Sequence, residues 1–152
     1  MRAHELAVQV PTVSARDAVA EAVRVMARAH LPGLIVVDGG ARPYMVLPGT
    51  QVLLLTVPRA HREGQALART IDEPHADAFW HELDNLSVGD CLPHSLARPA
   101  IVHEDATLLE IAALMGRMRS PLVAVVDGTG RLVGGITLDR VLGRLTADGP
   151  PG

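Results

Sequence analysis

The sequence predicts an α/β chain built from two tandem units. Each unit is a small three-stranded sheet covered by helices, and the two are packed as a pseudo-two-fold pair. Two observations carry this. Val13–Leu55 lies over Val102–Arg144 at a constant shift of 89 residues without a gap, and within each copy the apolar pattern switches between helical and strand periods at the same places.

The repeat can be checked residue by residue. Val13/Val102, Glu21/Glu110, Met26/Met115, Arg28/Arg117, Pro32/Pro121, Val36/Val125, Val37/Val126, Asp38/Asp127, Gly39/Gly128, Arg42/Arg131, Val52/Val141 and Leu53/Leu142 are identical, 12 of 43 positions. Many other pairs exchange one apolar residue for another. A duplication explains this agreement in register.

Each copy reads as strand, helix, strand, turn, strand, helix. From Asp17 to His30, Ala18, Val19, Ala22, Val23, Val25, Met26 and Ala29 fall three and four apart, the spacing of an amphipathic helix. In the second copy Leu108, Ile111, Ala112, Leu114, Met115 and Met118 repeat that pattern, with Thr107 or Asp105 as N-cap. Pro32 and Pro121 are expected to close these helices and open the next strands. The runs Leu34–Val37 and Leu122–Val126 are short and mostly β-branched, which reads as buried strand. Asp38-Gly39-Gly40 and Asp127-Gly128-Thr129-Gly130 are hairpin turns, not phosphate-cradling loops. Strands return at Tyr44–Leu47 and Leu132–Ile136, and a helix closes each unit at Thr50–Val57 or Leu138–Leu145.

The expected organisation is unit 1 over 1–57, a helical insert over 58–87, unit 2 over 88–146 and a disordered tail over 147–152. The insert carries two helices, around His61–Ile71 and His75–Leu83, with Phe79 and Trp80. It either ties the units together or lies over a cleft as a lid. The helix from Thr50 is apolar nearly all round through Val52, Leu53, Leu54, Leu55 and Val57, so it needs cover on two sides and predicts a homodimer through that helix.

Composition excludes several function classes. The chain of 152 residues is 48% hydrophobic and only 2% aromatic, with a formal net charge of −3. Its mean hydropathy is +0.22 and its pI about 6.1. A core of small aliphatic side chains follows, with no electrostatic reason to bind nucleic acid or an anionic membrane. All fourteen basic residues are Arg. Without Lys there is no phosphate-loop lysine, Schiff-base nucleophile or Ser/Lys dyad. The longest apolar stretch, Val52 to Val57, is too short to span a bilayer. One cysteine, Cys91, and no charged-then-apolar leader lead to the expectation of a cytoplasmic protein.

Metal and nucleophile patterns are weak. Asp77 and His81, four apart and near His75, have no further ligands at zinc spacing. Cys91 with His94 or His103 lacks an elbow motif and an orienting acid. No metal and no catalytic residue is expected.

The order of elements, with the phrases Ser120-Pro121-Leu122-Val123-Ala124-Val125-Val126-Asp127 and Leu132-Val133-Gly134-Gly135-Ile136-Thr137, resembles the cystathionine-β-synthase (CBS) domain, which occurs in tandem pairs. Val88–Pro93 looks like the lead-in of such a unit, and Leu6–Pro11 is its counterpart in the first. The resemblance implies a non-catalytic regulatory module, dimeric, acting on a separate effector protein. It also implies an adenosine ligand such as AMP, ADP, ATP or S-adenosylmethionine in a cleft, with no cofactor required. The family's ligand run is Gly-hydrophobic-hydrophobic-Thr/Ser-x-x-Asp, followed from the last strand into the last helix. In it a hydroxyl at a helix N-terminus meets phosphate or ribose, and the acid accepts from the ribose diol. Carried over, the ligand-facing set is Ser120, Pro121, Leu122, Gly135, Thr137, Asp139 and Arg140.

The second copy departs from the run at one place. Arg140 stands where the acid is expected, and Asp139 is one residue early, about 100° around the helix. That favours phosphate recognition through Arg140 over ribose recognition. The first copy has Pro48, Thr50 and Gln51 in place of Thr137, Asp139 and Arg140, so its site is degenerate. Read without the resemblance, Thr137 is an ordinary N-cap, Asp139 and Arg140 are a solvated first turn, and Pro121 is structural. The alternative function is a pair that has lost its ligand and serves as a dimerisation scaffold.

Overall fold

The computed structural model describes residues 1–55, 85–92 and 99–147. The two helices expected in the insert, with Phe79, Trp80, His75, Asp77 and His81, lie outside these residues, as do His94 and 148–152.

Helix α1 (Ala3–Leu6) precedes the first unit, which runs β1 (Val13–Ser14), α2 (Val19–Arg28), β2 (Gly33–Val37), β3 (Pro43–Pro48) and α3 (Gly49–Leu55). After a 3-10 turn at Gly89–Cys91, the second unit repeats the order as β4 (Ile101–His103), α4 (Leu108–Met118), β5 (Leu122–Val126), β6 (Leu132–Thr137) and α5 (Leu138–Ala147). Each sheet has three strands with the central strand parallel to the first and antiparallel to the third, in orders β1-β2-β3 and β4-β5-β6. The shift of 89 is kept in the register itself: Ile35 lies opposite Val46 as Ala124 lies opposite Gly135.

Period-2 alternation decides where each strand buries its side chains. Leu34 and Val36 join Val13, Ala22, Leu47, Val52 and Val88 in one core. Ile35 and Val46, on the other face, join Leu122, Ala124, Ile136 and Ile111 in a second. The two sheets therefore pack back to back, and residues 34–36 of the central strand β2 are fully buried.

The helices end differently from the expectation. Pro32 and Pro121 do not close them. α2 stops at Arg28 and α4 at Met118, and the chain then turns through a left-handed residue, His30 at φ 52° and Arg119 at φ 51°. That conformation releases the chain from the helix two residues before the proline. Each proline acts instead as an acceptor. The Pro32 carbonyl takes the Gly49 amide at 2.8 Å and the Pro121 carbonyl takes the Leu138 amide at 2.9 Å, tying the first amide of each closing helix to the junction.

The lead-in segments exchange. Residues 1–8 pack on the second unit: the amides of Ala3 and His4 donate to the carbonyls of Ala106 and Glu104, and the Leu108 amide donates to the Met1 carbonyl. Residues 86–89 make the matching bonds to the first unit. Val88 and Gly89 donate to Asp17 and Ala15, and Val19 donates to Leu86. The bridges Arg2↔Thr107 and Ala18↔Ser87 complete the correspondence. His4 thus takes the place of Gly89, an offset of 85 rather than 89. The expected pairing of Leu6–Pro11 with Val88–Pro93 is corrected by three residues, because shared backbone partners and not the prolines set the register. Both segments are held by side chains sealed in the other unit's core, Ala3 and Leu6 in one and Val88 in the other.

Both hairpin turns are built on an aspartate. Asp38 Oδ1 accepts from the Gly40 and Arg42 amides, and Asp127 Oδ1 from the Thr129 amide, the Thr129 hydroxyl and the Arg131 amide. The Arg42 amide, then that of Gly40, holds the Asp38 carboxyl below its usual range. For Asp127 the Thr129 hydroxyl does this first, followed by the Thr129 amide.

Among the described residues no helix is long and apolar enough to cross a membrane, and no group of three or more His, Cys, Asp or Glu side chains is placed to hold a metal ion.

Candidate functional site

The sequence set converges only in part. A cleft of about 280 Å³ lies between the units, lined by His30, Leu31 and Pro32 of the first copy and Pro121, Thr137, Leu138 and Asp139 of the second. It forms because Pro32 and Pro121 are equivalent in the repeat, so the pseudo-two-fold packing brings both helix–Pro–strand junctions to one place. The start of α5 supplies the remaining wall. The equivalent Pro48 and Thr50 do not line it.

Thr137 stands at the strand-to-helix corner, where its Oγ1 accepts from the Arg140 amide at 3.4 Å. That is a capping contact, and it leaves the hydroxyl hydrogen available to an acceptor in the cleft. Asp139, one residue into α5, is exposed and brings a carboxylate to the rim. Pro121 borders the cleft on one side. On the other it borders an apolar groove of about 370 Å³ between α4 and α5, shared with Ser120, Met115, Leu138, Val141 and Leu142.

Four expectations change. Ser120 is buried, and its hydroxyl donates to the Leu122 carbonyl at 2.6 Å, so it locks the junction from inside. Leu122 is fully buried in the second core and presents no surface to a ligand. Gly135 is sealed under the N-terminal segment: it exchanges two 2.9 Å backbone hydrogen bonds with Val8, and a Cβ there would meet Val10 Cγ2 at 3.0 Å. Its neighbour Gly134 is more confined still, since a Cβ would come within 2.6 Å of the Val8 carbonyl oxygen. The glycine pair therefore admits the crossing segment and not a ligand. Arg140 does not line the cleft; its Nε donates to the Leu6 carbonyl at 2.7 Å. The base assigned to phosphate pins α1 to α5 instead.

Sequence reasoning missed His30, Leu31 and Leu138. The repeat presents each copy as a complete unit, whereas the cleft is lined by both. The pairing of Pro32 with Pro121 at a shift of 89 is the signal that would have found them.

Elsewhere, Ser14, Arg16, Val37, Asp38 and Tyr44 are among the residues lining a concavity of about 420 Å³ at the carboxyl ends of β1 and β2. His103 Nδ1 lies 3.5 Å from Asp105 Oδ2 at the surface. The Cys91 side chain lies outside the described residues.

The CBS domain family model matches residues 88–147. The chain is 40% identical to a CBS domain-containing protein of unknown function from Kribbella flavida, covering 96% of this chain and 99% of that one, with a TM-score of 0.79. It therefore belongs to the CBS-domain family. More distant structures share the fold. CBSX2, a CBS-pair protein from Arabidopsis thaliana, in complex with AMP is 19% identical, with a TM-score of 0.67 and 96% of each chain covered. A CBS domain pair/ACT domain protein from Thermotoga maritima is 21% identical, with a TM-score of 0.67 over 97% of this chain and 98% of that one. No curated protein sequence matches the chain.

Proposed function

We propose that this CBS pair is a regulatory module, not an enzyme, that senses an adenosine-type ligand in the inter-unit cleft and passes the signal to a separate effector protein. AMP, ADP, ATP and S-adenosylmethionine are the ligands in view. The observation that carries the proposal is the meeting of both helix–Pro–strand junctions with Thr137 and Asp139 around one concavity. The AMP complex of a protein with the same fold supports it. The protein acts in the cytoplasm as a homodimer.

Mechanistically, the cleft is bounded by both units, so a ligand bound there has different contacts if the units shift relative to one another. A ligand moves a population only through such unequal affinity. The apolar walls, Leu31, Pro32, Pro121 and Leu138, suit a flat base, and the Thr137 hydroxyl suits a ribose or base acceptor.

A thermal-shift screen of the full chain with the four ligands and adenosine tests this. A ligand that binds only the folded state raises the midpoint, by about 2.7 kcal/mol of stability at a hundred times its Kd. Thr137→Ala is expected to weaken binding about two- to tenfold, the loss of one hydrogen bond. A midpoint unmoved by every ligand contradicts the proposal. It favours the second reading, a ligand-free dimerisation scaffold, for which Pro48 and the engaged Arg140 speak.

A further inference from the structure

We propose that the cleft selects adenosine-type ligands without a phosphate chain and prefers a cationic one, of which the sulfonium S-adenosylmethionine is the type, over AMP or ATP. This rests on the assignment of an adenosine-type ligand to the cleft and narrows it by charge.

A phosphate needs an Arg fork, a cluster of free amides, or both. Among the described residues neither faces this cleft. Of the described side chains lining it, Asp139 is the one acid and His30 the one base, and none is an Arg. Arg140, the base closest in sequence, is held by the Leu6 carbonyl at 2.7 Å. Arg119 borders the neighbouring α4–α5 groove. Among the first three amides of α5, that of Leu138 is bonded to Pro121 at 2.9 Å and that of Arg140 reaches Thr137 Oγ1 at 3.4 Å. The positive end of α5 is thus largely used within the fold, and it carries its own carboxylate one residue in. The corresponding first turn of α3 has no charged residue to compensate.

Size weighs against the triphosphate. At about 280 Å³ the cleft is at or just below the roughly 300 Å³ where small-molecule sites usually begin. A nucleoside is a better match than a nucleoside with three phosphates, and the Asp139 carboxylate repels a phosphate while attracting a sulfonium or ammonium.

Isothermal titration of the full chain with S-adenosylmethionine, adenosine, AMP and ATP at one ionic strength is the test, repeated on Asp139→Asn. The expected order is S-adenosylmethionine at least as tight as adenosine, then AMP, then ATP. Asp139→Asn should narrow the ratio between S-adenosylmethionine and ATP by about two- to fivefold, the range of an exposed charge contact. An unchanged thermal denaturation midpoint without ligand shows that the variant is folded. If AMP or ATP binds more tightly than adenosine, the charge selection is wrong while the adenosine site stands. If none of the four binds, both are overturned.

Discussion

Ala41 occupies the left-handed region at φ 58°, at the position where the second copy has Gly130 at φ 85°. The two turns are otherwise alike, each closed on its aspartate and each ending on an arginine amide. An L-residue held there costs about 1–2 kcal/mol, against about 0.5–1 kcal/mol for the extra chain entropy of glycine. Ala41→Gly is therefore expected to stabilise the protein by roughly 0.5–1 kcal/mol, read as a raised denaturation midpoint at unchanged slope. At this scale the sequence was legible wherever chemistry is local, as in the Asp-Gly turns and the Thr107 cap, whose side chain accepts the Glu110 amide. Arg140 was not legible. Its partner is 134 residues away, and nothing around position 140 marks it as a pin rather than a ligand contact.

The closing helices α3 and α5 bury one edge and leave the other wet. Val52 and Val141 enter the cores, while Leu53 and Leu54 are exposed to 63% and 48% and the equivalent α5 shows Leu142 at 50%. Apolar surface repeated at the same position on both copies is what an interface needs, and it supports a dimer built on these helices. Light scattering at micromolar concentration should give about twice the 16.1 kDa chain mass, and Leu53→Glu with Leu142→Glu should restore the single-chain mass. A monomeric wild type would count against it. Element type was readable because helix and strand periods differ; helix ends were not. The left-handed His30 and Arg119 that stop α2 and α4 are unremarkable as residue types, whereas the prolines nearby are conspicuous.

At the scale of the whole molecule, duplication is written in the register and exchange is not. The constant shift of 89 gives two units and their internal order. The crossing of residues 1–8 onto the second unit is invisible to periodicity, since Ala3, Leu6 and Val88 are apolar whichever core receives them. Exchange makes each unit depend on the other's lead-in. Leu6, fully buried, should cost about 2–5 kcal/mol when cut to alanine, and the loss should fall on a single cooperative transition and not on one half of the chain. A split transition would mean that the units fold independently.

The shared cleft is the other property of the pair, because neither copy holds it alone. Its test is an amide chemical-shift map of the isotope-labelled full chain during titration with adenosine. Perturbations should appear together at His30 and Leu31 of the first copy and at Thr137, Leu138 and Asp139 of the second, along one binding curve. Perturbations confined to Ser14–Arg16 and Asp38, or to the groove between α4 and α5, would contradict the assignment of the site. So would a spectrum unchanged at saturating adenosine.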